Sequence, residues 1–138
     1  MVENSYTIEP IGVIRSELSS RKEAPKQGYE GGPDAWLEIS EAFVEGLEGI
    51  GVGDEIIVVT WFHEGRRNIL KLHPRGDIHR PLTGVFSTRS PDRPNPLGLH
   101  RVTVREISGH RFKVGPIEAI DGTPVVDIKP VLPRSVDS

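Results

Sequence analysis

Twelve prolines and fifteen glycines are spread through 138 residues, and this punctuation limits the fold more than any other feature. Proline removes a backbone donor and clashes inside a helix, and glycine costs conformational entropy there. Little uninterrupted length is left for long helices, so the pattern predicts short strands joined by loops. The length suits one domain with one core, residues 1–138. Hydrophobic residues at 36% and charged residues at 27% can build that core and exclude a disordered tail. No run approaches the ~20 apolar residues that span a bilayer. Residues 1–5 lack the basic-then-apolar order of a signal peptide, so the expected address is the cytoplasm, with no membrane partner. The absence of cysteine excludes disulfides, thiolate nucleophiles and cysteine–zinc sites.

Along the chain, Tyr6 to Ser16 reads as a first strand broken near Pro10, and Ser19 to Asp34 as a long loop. Trp36 to Ile39 is a short strand. Ser40 then stands where it would cap a brief helix carrying Phe43, Leu47 and Ile50 on one side. The most apolar run, Glu55 to His63, predicts a central strand buried on both faces. A second long loop spans Glu64 to Arg80. Strands are expected at Leu82 to Thr88, at His100 to Ile107, where Val102, Val104 and His100 share a face, and at Arg111 to Val114. Asp121-Gly122 signals a hairpin between Ile117–Ala119 and Val125–Ile128. The predicted fold class is mostly β: a small barrel-like folded sheet with long functional loops and at most one or two short helices.

The net charge of -3 conceals an asymmetry. Trp61 to Lys113 holds eleven Lys or Arg against four acids, while the remainder holds six bases against sixteen acids. A basic segment of this kind fits a nucleic-acid partner, and it equally fits arginine-bearing strand faces interleaved with acidic ones.

The densest chemical signal is Gly84 to Leu99, GVFSTRSPDRPNPLGL. Prolines 91, 94 and 96 restrict the backbone, so Arg89, Arg93 and Asn95 project from a loop that loses little entropy on binding. Such donors suit a carboxylate, a phosphate or a nucleobase edge. His63, His73 and His79 lack the three-to-five-residue spacing of a metal pair, so no metal site is expected. Trp61 and Phe62 are adjacent on a strand, so one points inward and the other is open to stacking on a ligand.

The stretch FSTRSPDRPNPLGL resembles the signature of the TsaA-like family, the TrmO/YaeB type of tRNA methyltransferase. Ala24-Pro25-Lys26-Gln27, Trp61-Phe62-His63-Glu64 and Asp121-Gly122-Thr123-Pro124 fit the same pattern in the same order, and the resemblance covers about residues 6–132. It implies a β-barrel-like, S-adenosylmethionine-dependent methyltransferase. The acceptor it implies is the exocyclic amine of threonylcarbamoyl-adenosine beside the tRNA anticodon. Cofactor contacts would fall on Pro25, Lys26, Gln27, His63, Glu64, Arg89, Leu99, Asp121, Gly122, Thr123 and Pro124. A homodimer is also implied, with tRNA engaged through the basic 61–113 segment. Methyl transfer to an amine needs alignment, desolvation and an acceptor for the amine proton. Asn95 is the expected acceptor, and Arg93 the expected anchor for the threonyl carboxylate or a phosphate. Larger family members carry a C-terminal domain that this chain, ending at Ser138, is expected to lack. That leaves a small-molecule methyltransferase, or a non-catalytic S-adenosylmethionine-binding sensor or adaptor, as the alternative functions.

Overall fold

The computed structural model describes residues 4–20, 24–25 and 32–133. Among these, the strands in chain order are β1 Gly12–Arg15, β2 Ala35–Ile39, β3 Glu55–Trp61, β4 Lys71–Leu72, β5 Thr83–Gly84, β6 Leu97–Ser108, β7 Arg111–Gly115 and β8 Pro124–Pro130. Six of them form an antiparallel barrel in the order β1-β2-β7-β6-β3-β8. Its last seam is short, made by the pairs Gly12–Val125 and Val13–Pro124. β4 and β5 form a separate two-stranded ribbon. The helical content of the described residues is short 3-10 segments, the longest being Glu41–Leu47.

Alternation along the strands builds the interior. On β3, Ile56, Val58 and Thr60 are buried, and on β6, Gly98, His100, Val102 and Val104. Antiparallel register sets Ile56 opposite Val102, Val58 opposite His100 and Thr60 opposite Gly98. The apolar run of β3 is therefore not buried on both faces as its composition predicts. A barrel of antiparallel strands has one interior, and Ile57 and Val59 face outward, half-buried. Ile14, Leu37, Phe112 and Val114 complete the centre of the core.

Three further elements differ from expectation for local reasons. The turn after Ser40 is a 3-10 segment, and Ser40 makes no side-chain cap. Its amide instead donates to the Ile11 carbonyl at 2.9 Å, while Leu47 enters the core and Phe43 and Ile50 pack against it. The Leu82–Thr88 stretch stops being a strand after Gly84, because the Thr88 amide and hydroxyl both donate to the Val85 carbonyl, at 3.0 and 2.8 Å, and wind a turn. Asp121-Gly122 closes no hairpin. Its amides donate to the Leu18 and Ile14 carbonyls at 2.6 and 2.8 Å, docking the turn onto the end of β1.

Candidate functional site

At the barrel end where β3 finishes and β6 begins, the proline-rich loop folds over the strands. With the segments 62–65 and 118–123 it bounds a cleft of about 320 Å³. Two glycines allow these segments to approach. A Cβ on Gly98 would lie 2.5 Å from the Phe62 ring and 2.6 Å from the Thr60 hydroxyl, and one on Gly65 would lie 2.5 Å from the Pro91 carbonyl oxygen. Phe62 therefore lies across β6 as a wall of the cleft, whereas Trp61 stays outside, 5.1 Å beneath the Arg67 guanidinium. The phenylalanine is the inward member of that pair.

The loop is braced from below and from its side. Asp92, 6% exposed, accepts from the Arg66 amide at 2.9 Å and from the Arg66 guanidinium at 3.4 Å. Arg67 donates to the Pro94 carbonyl at 2.7 Å and to the Asn95 side-chain oxygen at 3.1 Å. Arg93 donates to the Val85 carbonyl and, at 3.0 Å, to that of Thr88. Bonds from a guanidinium are charge-assisted and hold geometry well, so the proline-restricted loop is also cross-linked.

Of the residues expected from the sequence, Pro25, His63, Glu64, Arg89, Leu99 and Thr123 line the cleft together, and Arg93 joins them. Arg89 is exposed and makes no hydrogen bond or ion pair with any described residue. His63 Nε2 lies 3.9 Å from a Glu64 carboxylate oxygen at the mouth. Asp121, Gly122 and Pro124 flank Thr123 without lining the cleft. Asp121 accepts from the Ser16 amide at 3.0 Å, and Pro124 pairs with Val13. Lys26 and Gln27 lie outside the described residues. Asn95 is set apart from the cleft, its side-chain oxygen taken by Arg67.

Sequence reading missed the floor. Glu118 lines the cleft and bonds His100 Nδ1 at 2.6 Å, and His100 Nε2 bonds the Thr60 hydroxyl at 2.7 Å. The Phe62 ring meets His100 edge-on, centroids 5.6 Å apart. The available signal was His100 on the buried face of an alternating strand, since a buried imidazole requires partners. Phe86 and Thr88 also line the cleft. They were legible only as part of a strand that is in fact a turn.

Among the described residues, five arginines of the basic segment form ion pairs, Arg66 with Asp92 being one. Arg101 meets Glu55 at 2.8 Å, Arg111 meets Glu38 at 3.4 Å, Arg105 meets Asp34 at 3.7 Å and Arg80 meets Asp77 at 3.8 Å. Folding thus interleaves much of the charge that sequence order separates. The hydrogen bond from Arg101, and then its charge, holds the Glu55 carboxyl below its usual range. His73 donates from Nδ1 to the Arg80 carbonyl at 2.8 Å. Among the described residues no three His, Asp or Glu side chains are grouped to hold a metal ion, and no helix is long and apolar enough to cross a membrane.

The family model described as the tRNA-methyltransferase O N-terminal domain matches residues 13–138. A probable S-adenosyl-L-methionine-binding protein of Methanocaldococcus jannaschii is 44% identical over 128 residues, covering 90% of this chain and 90% of that protein. The tRNA (adenine(37)-N6)-methyltransferase of Escherichia coli is 33% identical, covering 94% of this chain and 59% of that protein. The crystal structure of TrmO from Pseudomonas aeruginosa superposes with a TM-score of 0.76 at 29% identity, over 98% of this chain and 60% of that one. The chain therefore spans nearly the full length of the archaeal relative and about three-fifths of the two methyltransferases.

Proposed function

The chain belongs to the family of tRNA-methyltransferase O N-terminal domains, and on that footing we propose that it is an S-adenosylmethionine-dependent methyltransferase acting on tRNA. The acceptor under this reading is the exocyclic amine of threonylcarbamoyl-adenosine beside the anticodon. The observation that carries the reading is the cleft itself. Pro25, His63, Glu64, Arg89, Leu99 and Thr123 come from separate stretches of sequence and meet around one cavity. The donor set fits the cofactor, because the Arg89 guanidinium is available for a carboxylate while Phe62, Phe86, Leu97 and Leu99 offer apolar walls.

When bound, S-adenosylmethionine supplies a methyl group activated on a sulfonium. The protein's share is to hold the reacting groups in line and exclude water, which is where most of the acceleration of such a displacement arises. Arg89 would hold the carboxylate, and Phe62 and Leu99 would supply apolar surface for the rest of the cofactor. Thr123, carried into place by Asp121, Gly122 and Pro124, closes the side next to β1, and Pro25 stands in the wall of the same cleft. Arg93 and Asn95 serve the loop that frames the cleft: Arg93 fixes the Val85–Thr88 turn, and Asn95 takes the Arg67 brace. Residues 1–138 act as one cofactor-binding domain in the cytoplasm, as a homodimer, with tRNA approaching the basic 61–113 side.

A second reading is favoured by one finding: the archaeal relative of matching length is named as a binding protein. In that reading the domain senses the cofactor and transfers nothing. Incubating the protein with S-adenosylmethionine and threonylcarbamoylated tRNA, followed by mass spectrometry of the nucleosides, separates the two. Transfer adds one methyl to threonylcarbamoyl-adenosine, and tRNA binding weakens steeply with salt through counterion release. Cofactor binding by calorimetry with an unchanged nucleoside profile supports the sensor.

A further inference from the structure

The geometry points to Glu118 as the residue that receives the α-ammonium group of the cofactor, held in place by His100 and Thr60. The inference rests on the cleft being a cofactor site. It assigns the floor, which neither the motif nor the family resemblance reaches.

The floor differs from the mouth in exposure. The Glu118 side chain is 12% exposed, whereas that of Glu64 is 48% exposed and solvated. One Glu118 oxygen is taken by His100 Nδ1 at 2.6 Å. The other ring nitrogen, Nε2, is bonded to the Thr60 hydroxyl, so the imidazole ties Glu118 to a buried strand residue through both of its nitrogens. Behind the imidazole the barrel is apolar, with Val58 paired to His100 across the sheet and Val102 following it inward. A proton passed from Glu118 to the ring would reach Thr60, which is fully buried, and go no further. The arrangement is therefore suited to aiming a carboxylate rather than to carrying protons away.

Among the described residues Glu118 has His100 as its partner, and none of their Lys or Arg side chains pairs with it. A carboxylate with so little access to water is costly unless a cation compensates it. A ligand ammonium does so, and a neutral amine does so less well. The same cleft carries the opposite charge on Arg89. The cleft thus offers a guanidinium and a held carboxylate, the two partners that a zwitterionic amino-acid group takes, with its carboxylate toward Arg89 and its ammonium toward Glu118.

Calorimetry with defined analogues tests the assignment. Glu118→Gln keeps the shape and the bond from His100 while removing the charge. It should weaken S-adenosylmethionine by about tenfold to a hundredfold. Decarboxylated S-adenosylmethionine, which keeps the amine, should weaken by the same factor, and 5′-methylthioadenosine, which lacks the amino-acid chain, by less than about twofold. Arg89→Ala should show the complementary pattern, losing affinity for S-adenosylmethionine and not for the decarboxylated form. On the unaltered protein, an analogue without the α-amino group should lose the factor that Glu118→Gln loses, so the test does not depend on the variant folding. Equal losses for all ligands, or none, would overturn the assignment while leaving the cofactor site standing. Failure of the unaltered protein to bind any of them would overturn the cofactor site and the assignment with it.

Discussion

Two halves of one barrel interior, built on the same pair of strands, have opposite characters. Toward the Glu55 end of β3 the inward positions are Ile56, opposite Val102, and Val58, opposite His100, backed by Leu37 and Phe112. Toward the Trp61 end they are Thr60, Gly98 and His100, roofed by Phe62 and open to the cleft through Glu118. Pairing of β3 with β6 runs without interruption from Glu55–Thr103 to Trp61–Leu97, while the pairing of β3 with β8 shifts register between Val59 and Thr60, where the two halves meet. The difference lies in which side chains the alternation turns inward. One half is filled for stability; the other trades apolar volume for a glycine, an imidazole and a hydroxyl that only a site requires.

The sharpest way to break that comparison is to cut into the apolar half. Leu37→Ala removes a fully buried side chain and should cost about 2–5 kcal/mol, read as a lower denaturant midpoint, with the cofactor affinity of the folded fraction unchanged. A loss of affinity as large as that of a cleft variant would show that the halves are not separable. Gly98→Ala acts at the boundary. Its Cβ must displace the Phe62 ring, so a stability loss of about 1–3 kcal/mol is expected together with weaker S-adenosylmethionine binding, measured by melting and calorimetry on one preparation. Stability without a change in affinity would remove Phe62 from the cofactor wall.

Asn95→Ala should be milder. It frees one Arg67 contact on the exposed side of the loop, worth about 1 kcal/mol, and should leave cofactor affinity within about twofold. A large loss of methyl transfer with the fold intact would restore Asn95 as the proton acceptor that its place in the motif suggested. The smallest effect is expected on the outer surface, at Glu55 and Arg101. The folded Glu55 carboxyl titrates below its unfolded range, so its contribution is present above that range and is lost as pH falls through the lowered folded value. Melting curves taken on either side of this acid window should converge slightly in Glu55→Gln, with no change in the cleft.

What was legible in the sequence follows the same division. Strand alternation and turn residues located β2 and β7 closely and the body of β6 from His100 to Ile107, because one-sided burial writes itself into every second residue, while Leu97–Leu99 read as part of the loop. The signature loop announced Arg89 and Leu99 because prolines and a charged motif are visible without a fold. The floor was not legible in this way. Glu118 lies in an irregular stretch with no periodicity, and its importance depends on His100, eighteen positions away and across the barrel. Asn95 shows the converse limit: membership in a motif fixes which loop a side chain belongs to, and only tertiary contacts, here the bond from Arg67, fix which way it points. The charge asymmetry shows the same limit, since Arg101, Arg105 and Arg111 find Glu55, Asp34 and Glu38 only once the strands pair.

The central claim is that the cofactor occupies the polar end of the barrel. Backbone amide NMR of the labelled protein, titrated with S-adenosylmethionine, tests it most directly. The expected result is a set of saturable shifts at 62–65, 86–89, 97–100 and 118–123, with the opposite end at 49–54 unmoved. Shifts concentrated at 49–54, or no shifts at millimolar cofactor, would contradict it.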